Sequence, residues 1–159
     1  MDPVFRWIES SALSVWTRES TSLLAFPAIL SAHAIGMALA AGVNAAIALH
    51  LLGVAPGIPT RELRRVVGVA WLGFWMNAVS GVLLLVAYPT KALTNPVFYL
   101  KLSLVAVGMG LFVAIDRRPM ELWTAATRRY VGLASLVSWG GAITAGRLLA
   151  YTYRRIMVG

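Results

Sequence analysis

Four long apolar blocks constrain this chain more than any other feature. They cover residues 23–52, 66–88, 95–115 and 130–153. A helix needs roughly 20 mainly apolar residues to cross the hydrocarbon core of a bilayer. Their richness in Ala and Leu favours helices over the alternating strands of a barrel. The sequence therefore predicts an all-α integral membrane four-helix bundle, with residues 1–159 forming a single membrane domain.

The segment before the first block has a different character. Residues 1–22 carry five charged side chains among apolar residues at roughly helical spacing, and they contain no uninterrupted apolar run. This pattern excludes a cleavable signal peptide and is typical of an amphipathic helix lying in the membrane interface. We therefore expect residues 1–22 to form an N-terminal interfacial helix.

Composition and charge support a place in the lipid bilayer. Only 13% of the residues are charged, against about 25% in a soluble domain. The net charge of +8 does not come from one basic patch, because the basic residues flank the apolar blocks, so nucleic-acid binding is not expected. More of them lie in residues 53–65 and 116–129 than near the termini, which predicts a bacterial inner membrane protein with both termini in the periplasm. The absence of cysteine excludes disulfides and thiolate metal ligands.

His33 is the first candidate functional residue. The chain has two histidines, and His33 lies well inside the first block, where an ionisable side chain is costly and often functional. Imidazole is a common ligand of haem iron and other metals. Gly36 and Met37 follow at helical spacing, so a flat cofactor has room there and Met37 can pack on it. The alternative is that His33 only hydrogen-bonds to a neighbouring helix.

Two cations approach the same end of the predicted bundle. Lys101 opens the third block and Arg147 lies near the end of the fourth, so span order places both on the side of His33. Lys101 can ligate iron as a neutral amine or contact a haem propionate or a quinone oxygen, and Arg147 suits a carboxylate. Each can instead extend its charge to the headgroups. Trp139 can line the same cavity or pack in the core.

His50 lies at the other end of the first block. Seventeen residues separate it from His33, which is about 25 Å along a helix, so the two cannot bind one iron within one chain. We expect His50 to be an interfacial residue that can pair with Asp116. The chain contains no HExxH, Walker, GxSxG or GxGxxG motif, which disfavours hydrolytic and phosphoryl-transfer enzymes.

Several short motifs resemble an uncharacterised bacterial four-span membrane family. They are SAHAIGMALAAG, ALHLLG, NPVFYLK and SWGGAITAGRLLAY, together with TRES ahead of the first block. That family is distantly similar to the membrane domain of copper-resistance D proteins and to the J-type protoporphyrinogen oxidase, a four-span haem b protein. The resemblance implies roles for His33 and Lys101, which correspond to the oxidase's first-span histidine and later-span lysine. Relatives often have DLRLLG where this chain has ALHLLG, and a histidine near Asp116.

These observations predict a haem b or quinone electron-transfer subunit, with His33 as the metal ligand and Lys101, Arg147, Met37 and Trp139 around the cofactor. Its partners would be other membrane or periplasmic redox subunits, or a second copy of the chain, and it can be a subunit of a membrane oxidoreductase. The alternatives are a non-catalytic anchor or assembly subunit of a larger complex and a copper-handling membrane protein. A quinone-linked oxidoreductase acting on a porphyrin is a further alternative.

Overall fold

The structure is a computed structural model, and all the regular secondary structure in the part of the chain that it describes is helical. That part is residues 3–118 and 120–156, without the side chains of residues 121, 150 and 153–156. Asp2, at the start of the predicted interfacial helix, and the side chains of Arg154 and Arg155 lie outside it. The described helices, in chain order, are α1 (Pro3–Glu9), α2 (Ala12–Glu19), α3 (Phe26–Leu51), α4 (Thr60–Arg65), α5 (Val67–Ala87), α6 (Pro89–Leu93), α7 (Pro96–Arg117) and α8 (Ala125–Ile156), with a 3₁₀ turn at Met120–Leu122. The predicted all-α fold is confirmed.

Within the described residues, three stretches are long and apolar enough to cross a membrane. They are α3, α4 with α5, and α7. The fourth long helix, α8, is not among them, although its 32 residues are more than a span requires. Its arginines and its Ser, Thr and Gly residues lower its mean hydropathy. The membrane-spanning role of α8 therefore stays a prediction.

Small residues set the distance between the long helices. An added methyl group at Gly36 in α3 would lie 2.6 Å from the backbone nitrogen of Asn77 in α5, and one at Gly73 would lie 2.7 Å from the backbone nitrogen of Ala40. Only glycine permits this approach of two backbones. On the other side of the bundle, α8 packs against both α3 and α7. The close pairs thus follow the order α5–α3–α8–α7.

The core is concentrated at the end of the bundle away from the chain termini. Phe112 of α7 is fully buried and its ring meets Trp71 of α5 edge-on, with centroids 5.6 Å apart. Ile47 of α3 is buried in the same cluster. Aromatic side chains therefore fill the space between α5 and α7 at this end.

The N-terminal segment differs from the expected single helix, because it forms two. The helix is interrupted at Ser11, because its side chain accepts a hydrogen bond from the backbone of Ser14 and caps the start of α2. Serine side chains compete with helical backbone bonds in this way. The two helices are fastened to the bundle end through Glu9, whose carboxylate accepts a 2.8 Å hydrogen bond from the hydroxyl of Thr90.

Candidate functional site

His33 of α3 is held against α5 by its ring and its backbone. Its Nδ1 lies 3.1 Å from the backbone oxygen of Asn77 and 3.2 Å from Ser80 Oγ. The side-chain amide of Asn77 in turn donates a 2.8 Å hydrogen bond to the backbone oxygen of His33. An added methyl group at Gly81 would lie 3.2 Å from His33 Cε1. The imidazole is therefore fixed in orientation by one turn of α5.

These contacts determine which ring nitrogen of His33 carries the proton. The backbone oxygen of Asn77 can only accept, and Ser80 Oγ donates its own proton to the backbone oxygen of Met76 at 2.6 Å. Nδ1 is therefore the N–H donor, and in the neutral ring Nε2 keeps its lone pair. A carbonyl partner on Nδ1 is the usual arrangement in a histidine that binds metal through Nε2.

Lys101 of α7 meets that second nitrogen. Its Nζ lies 3.1 Å from His33 Nε2. The lysine stem passes α8 at Gly146, where an added methyl group would lie 3.6 Å from Lys101 Cε. Glycine at position 146 thus leaves the space through which the lysine of one helix reaches the histidine of another.

The contact between the two nitrogens limits the charge of the pair. An ammonium group has no lone pair, so Nζ must donate to an unprotonated Nε2, and the two side chains cannot both be positively charged in this arrangement. The acidic residues lie outside the apolar blocks or at their ends. Asp116, the one nearest to Lys101 along α7, is fifteen residues away, or about 22 Å of helix. An ionisable side chain inside the bundle with no carboxylate partner among the described residues is unusual and points to a functional site.

The structure brings His33 and Lys101 together but does not gather all the predicted residues around them. Arg147 follows Gly146 on α8, and its side chain is exposed. Met37 packs against the hydrophobic core cluster. Trp139 is buried against Gly108 of α7, with its indole nitrogen 2.9 Å from the position of an added methyl group. Their proposed cofactor contacts stay predictions.

His50 belongs to a separate place at the opposite end of the bundle. Its Nδ1 lies 3.2 Å from the backbone oxygen of Ala55, in the turn after α3. Within the described residues the one salt bridge joins Arg65 to Glu62, so the possible pairing of His50 with Asp116 does not form an ion pair. This agrees with a local structural role for His50.

Sequence reasoning overlooked Asn77 and Ser80. Their spacing places both on one face of the second span, and Gly81 lies beside them. Polar side chains one turn apart in an otherwise apolar span indicate an interhelical hydrogen-bond partner. That pattern could have identified the segment that holds His33.

His33 gives the site one metal-ligating side chain, which is too few for a metal site built from protein ligands alone. In the described part of the chain, no group of three His, Cys, Asp or Glu side chains is placed to hold a metal ion. The lone pair of His33 Nε2 already faces Lys101 Nζ at 3.1 Å. His33 can therefore offer this lone pair to a metal only when the flexible Lys101 side chain gives up its hydrogen bond.

Two small clefts lie at the end of the bundle opposite His33. One is beside His50, lined also by Thr60 and Arg128, and has a volume of about 40 Å³, and a second one beside Asp116 has about 10 Å³. Ligand pockets usually measure about 300–1,000 Å³, so neither cleft has the size of a cofactor site.

Comparisons with protein-family models, with curated proteins and with solved structures found no match to this chain. The geometry of the His33–Lys101 pair therefore carries the functional argument.

Proposed function

We propose that the protein is a membrane-embedded electron-transfer subunit that binds haem b through His33. The observation that supports this best is the hydrogen bond of His33 Nδ1 to the backbone oxygen of Asn77, because it directs the Nε2 lone pair away from α5. Haem b supplies a one-electron redox centre when it is bound. In this proposal α8 is the fourth span, α1 and α2 lie in the interface, and the termini are periplasmic in a bacterial inner membrane.

The chain's own residues have distinct parts in this proposal. Asn77 and Ser80 hold the imidazole in one tautomer. Lys101 gives up its hydrogen bond to Nε2 when a ligand binds there, and its charge can then pair with a propionate. Arg147 directly follows Gly146, the residue of α8 that the lysine stem passes, and would offer a second cation for the same group. The electron donor or acceptor would be a quinone or a partner subunit.

The test is a reduced-minus-oxidised optical spectrum of the full-length protein, purified in detergent after haem has been supplied. We expect a Soret band and b-type bands in the wild type and their loss in His33→Ala. His50→Ala is the matched control, since it removes the other histidine and should leave the bands unchanged. A wild type without bands, or a His33→Ala protein with the wild-type spectrum, would refute haem ligation by His33.

A second candidate function is quinone binding without haem. Lys101 has three N–H groups and uses one of them on His33, so the other two can donate to a quinone carbonyl without any rearrangement at Nε2. The backbones of α5 and α7 do not pack closely against each other. This favours entry of a lipid-like ligand from the bilayer between these two helices. A quinone that co-purifies with the wild type and is lost in both Lys101→Met and His33→Ala would support this function, and its absence from the wild type would exclude it.

A third candidate is a non-catalytic anchor or assembly subunit. The close backbone contact at Gly36 and Gly73 and the small clefts favour a structural bundle. In this case His33 and Lys101 would serve as an interhelical hydrogen bond. Neither haem nor quinone would then be retained, and His33→Ala would change only the stability of the bundle.

A further inference from the structure

Three buried polar side-chain atoms of α3 and α8 have no hydrogen-bond partner among the described residues. They are Asn44 Oδ1, Ser135 Oγ and Trp139 Nε1. The residues are 1%, 1% and 4% exposed, respectively. Leaving such an atom unpaired costs about 1–3 kcal/mol, so three of them would be a large cost for a bundle of this size.

The register of α3 against α8 places these residues close together. An added methyl group at Gly132 of α8 would lie 3.0 Å from the backbone oxygen of Ala48 in α3. The two helices run antiparallel, so one turn from this contact brings Ser135 opposite Asn44. Trp139 lies one further turn along α8, and helical side chains point back toward the helix N-terminus, which is the direction of Ser135.

The three atoms have complementary hydrogen-bonding capacities. The amide Oδ1 of Asn44 can only accept, while the Nδ2 of the same side chain donates to the backbone oxygen of Ala40 at 2.8 Å. The indole N–H of Trp139 only donates, and the hydroxyl of Ser135 does both. One water molecule can accept from the indole, donate to the amide oxygen and bond to the hydroxyl. A buried water with about three polar partners is the usual solution for such groups.

We propose that Asn44, Ser135 and Trp139 form a binding site for ordered water at the α3–α8 interface. The site ties α8, the least apolar of the four long helices, to the most central one. Because Trp139 also packs on Gly108, the water joins α3 to the α7–α8 pair by polar bonds inside an apolar cluster. This role does not depend on the electron-transfer proposal.

The direct test is proton NMR of the full-length protein in detergent micelles with ¹⁵N-labelled indole groups. Trp139→Phe assigns the Trp139 indole resonance. We expect a nuclear Overhauser cross-peak between that indole proton and water in the wild type. Absence of the cross-peak would show a dry site and overturn the proposal, and this measurement needs no variant beyond the assignment.

A second measurement gives opposite signs for a wet and a dry site. Asn44→Leu removes the unpaired oxygen while it keeps a side chain of similar size. If a water bridges the three groups, the substitution takes away one of its partners, so the melting temperature falls and the Trp139 cross-peak weakens. If the site is dry, the substitution removes an unsatisfied atom and the melting temperature stays the same or rises. Gly42→Ala in the same helix, where an added methyl group meets nothing within 4 Å, is the control.

Discussion

Gly73→Ala tests the contact that positions the histidine. The new methyl group would lie 2.7 Å from the backbone nitrogen of Ala40 and from Leu39 Cβ, and 2.8 Å from the backbone oxygen of Gly36. Two of these three atoms belong to the backbone, so rotation of a side chain cannot relieve the clash. An ordinary contact begins near 3.4 Å. Helices α3 and α5 must therefore separate locally by about 0.7 Å, which forfeits a quarter to a half of the dispersion energy of the neighbouring contacts.

The expected cost is about 1–3 kcal/mol, the range for overpacking in a closely packed core. The same separation acts on the site, because Gly73 lies one turn from Asn77. A displacement of about 0.7 Å at Asn77 would lengthen its 3.1 Å hydrogen bond to His33 beyond the normal limit for such bonds. We therefore expect Gly73→Ala both to lower the stability and to loosen the imidazole.

The assay is thermal unfolding of the wild type and the variant in the same detergent, followed by far-ultraviolet circular dichroism. Gly42→Ala is the matched control, since its added methyl group meets nothing within 4 Å. We expect a lower melting temperature for Gly73→Ala and a value close to wild type for Gly42→Ala. If Gly73→Ala melts at or above the temperature of Gly42→Ala, the close approach of α3 and α5 is wrong.

Two further substitutions test the ends of the bundle with the same melting assay. Asn95→Ala should destabilise the protein by about 1 kcal/mol, because Asn95 Oδ1 caps α7 by accepting from the backbone of Val97 at 3.0 Å and its Nδ2 donates to Thr152 at 2.8 Å. Asn95→Asp keeps the cap and loses the donor, so its melting temperature should lie between those of the wild type and Asn95→Ala. Equal melting temperatures for the three proteins would contradict this assignment. Phe112→Ala should cost about 2 kcal/mol through the cavity that it leaves, less than the usual cost in a water-soluble core, because lipid gives the ring of the unfolded protein a similarly apolar environment. Phe112→Leu should cost less. An unchanged melting temperature in Phe112→Ala would show that this ring does not fill the space between α5 and α7.

Much of the helical architecture followed from local properties of the sequence. The apolar block at 95–115 became α7 at Pro96–Arg117, because Asn95 and Pro96 supply the cap and the first turn. The block at 130–153 lies within α8, but the helix begins earlier, at Ala125. At the N-terminus the prediction of one helix was wrong, because Ser10 and Ser11 offer side-chain bonds that compete with the helical backbone.

Only part of the candidate site could be predicted from the sequence. Span order placed His33 and Lys101 at the same end of the bundle, but not at hydrogen-bonding distance. Asn77 and Ser80 were overlooked, although two polar residues one turn apart indicate a face that meets another helix. What their span alone does not reveal is that this neighbour is α3. The sequence left open whether Trp139 lines a cofactor cavity or packs in the core. Its indole lies against Gly108, a contact that depends on how α7 and α8 are rotated about their axes.

The sequence by itself determined the membrane character of the chain, its helices and the isolation of one histidine deep in the first span. These properties follow from hydropathy, length and capping, which act over a few residues. The tertiary structure decided that Asn77 orients the His33 ring and that Lys101 faces its second nitrogen. Those contacts join residues 44 and 68 positions apart, and they depend on the helix separation that glycines 36, 73 and 146 permit.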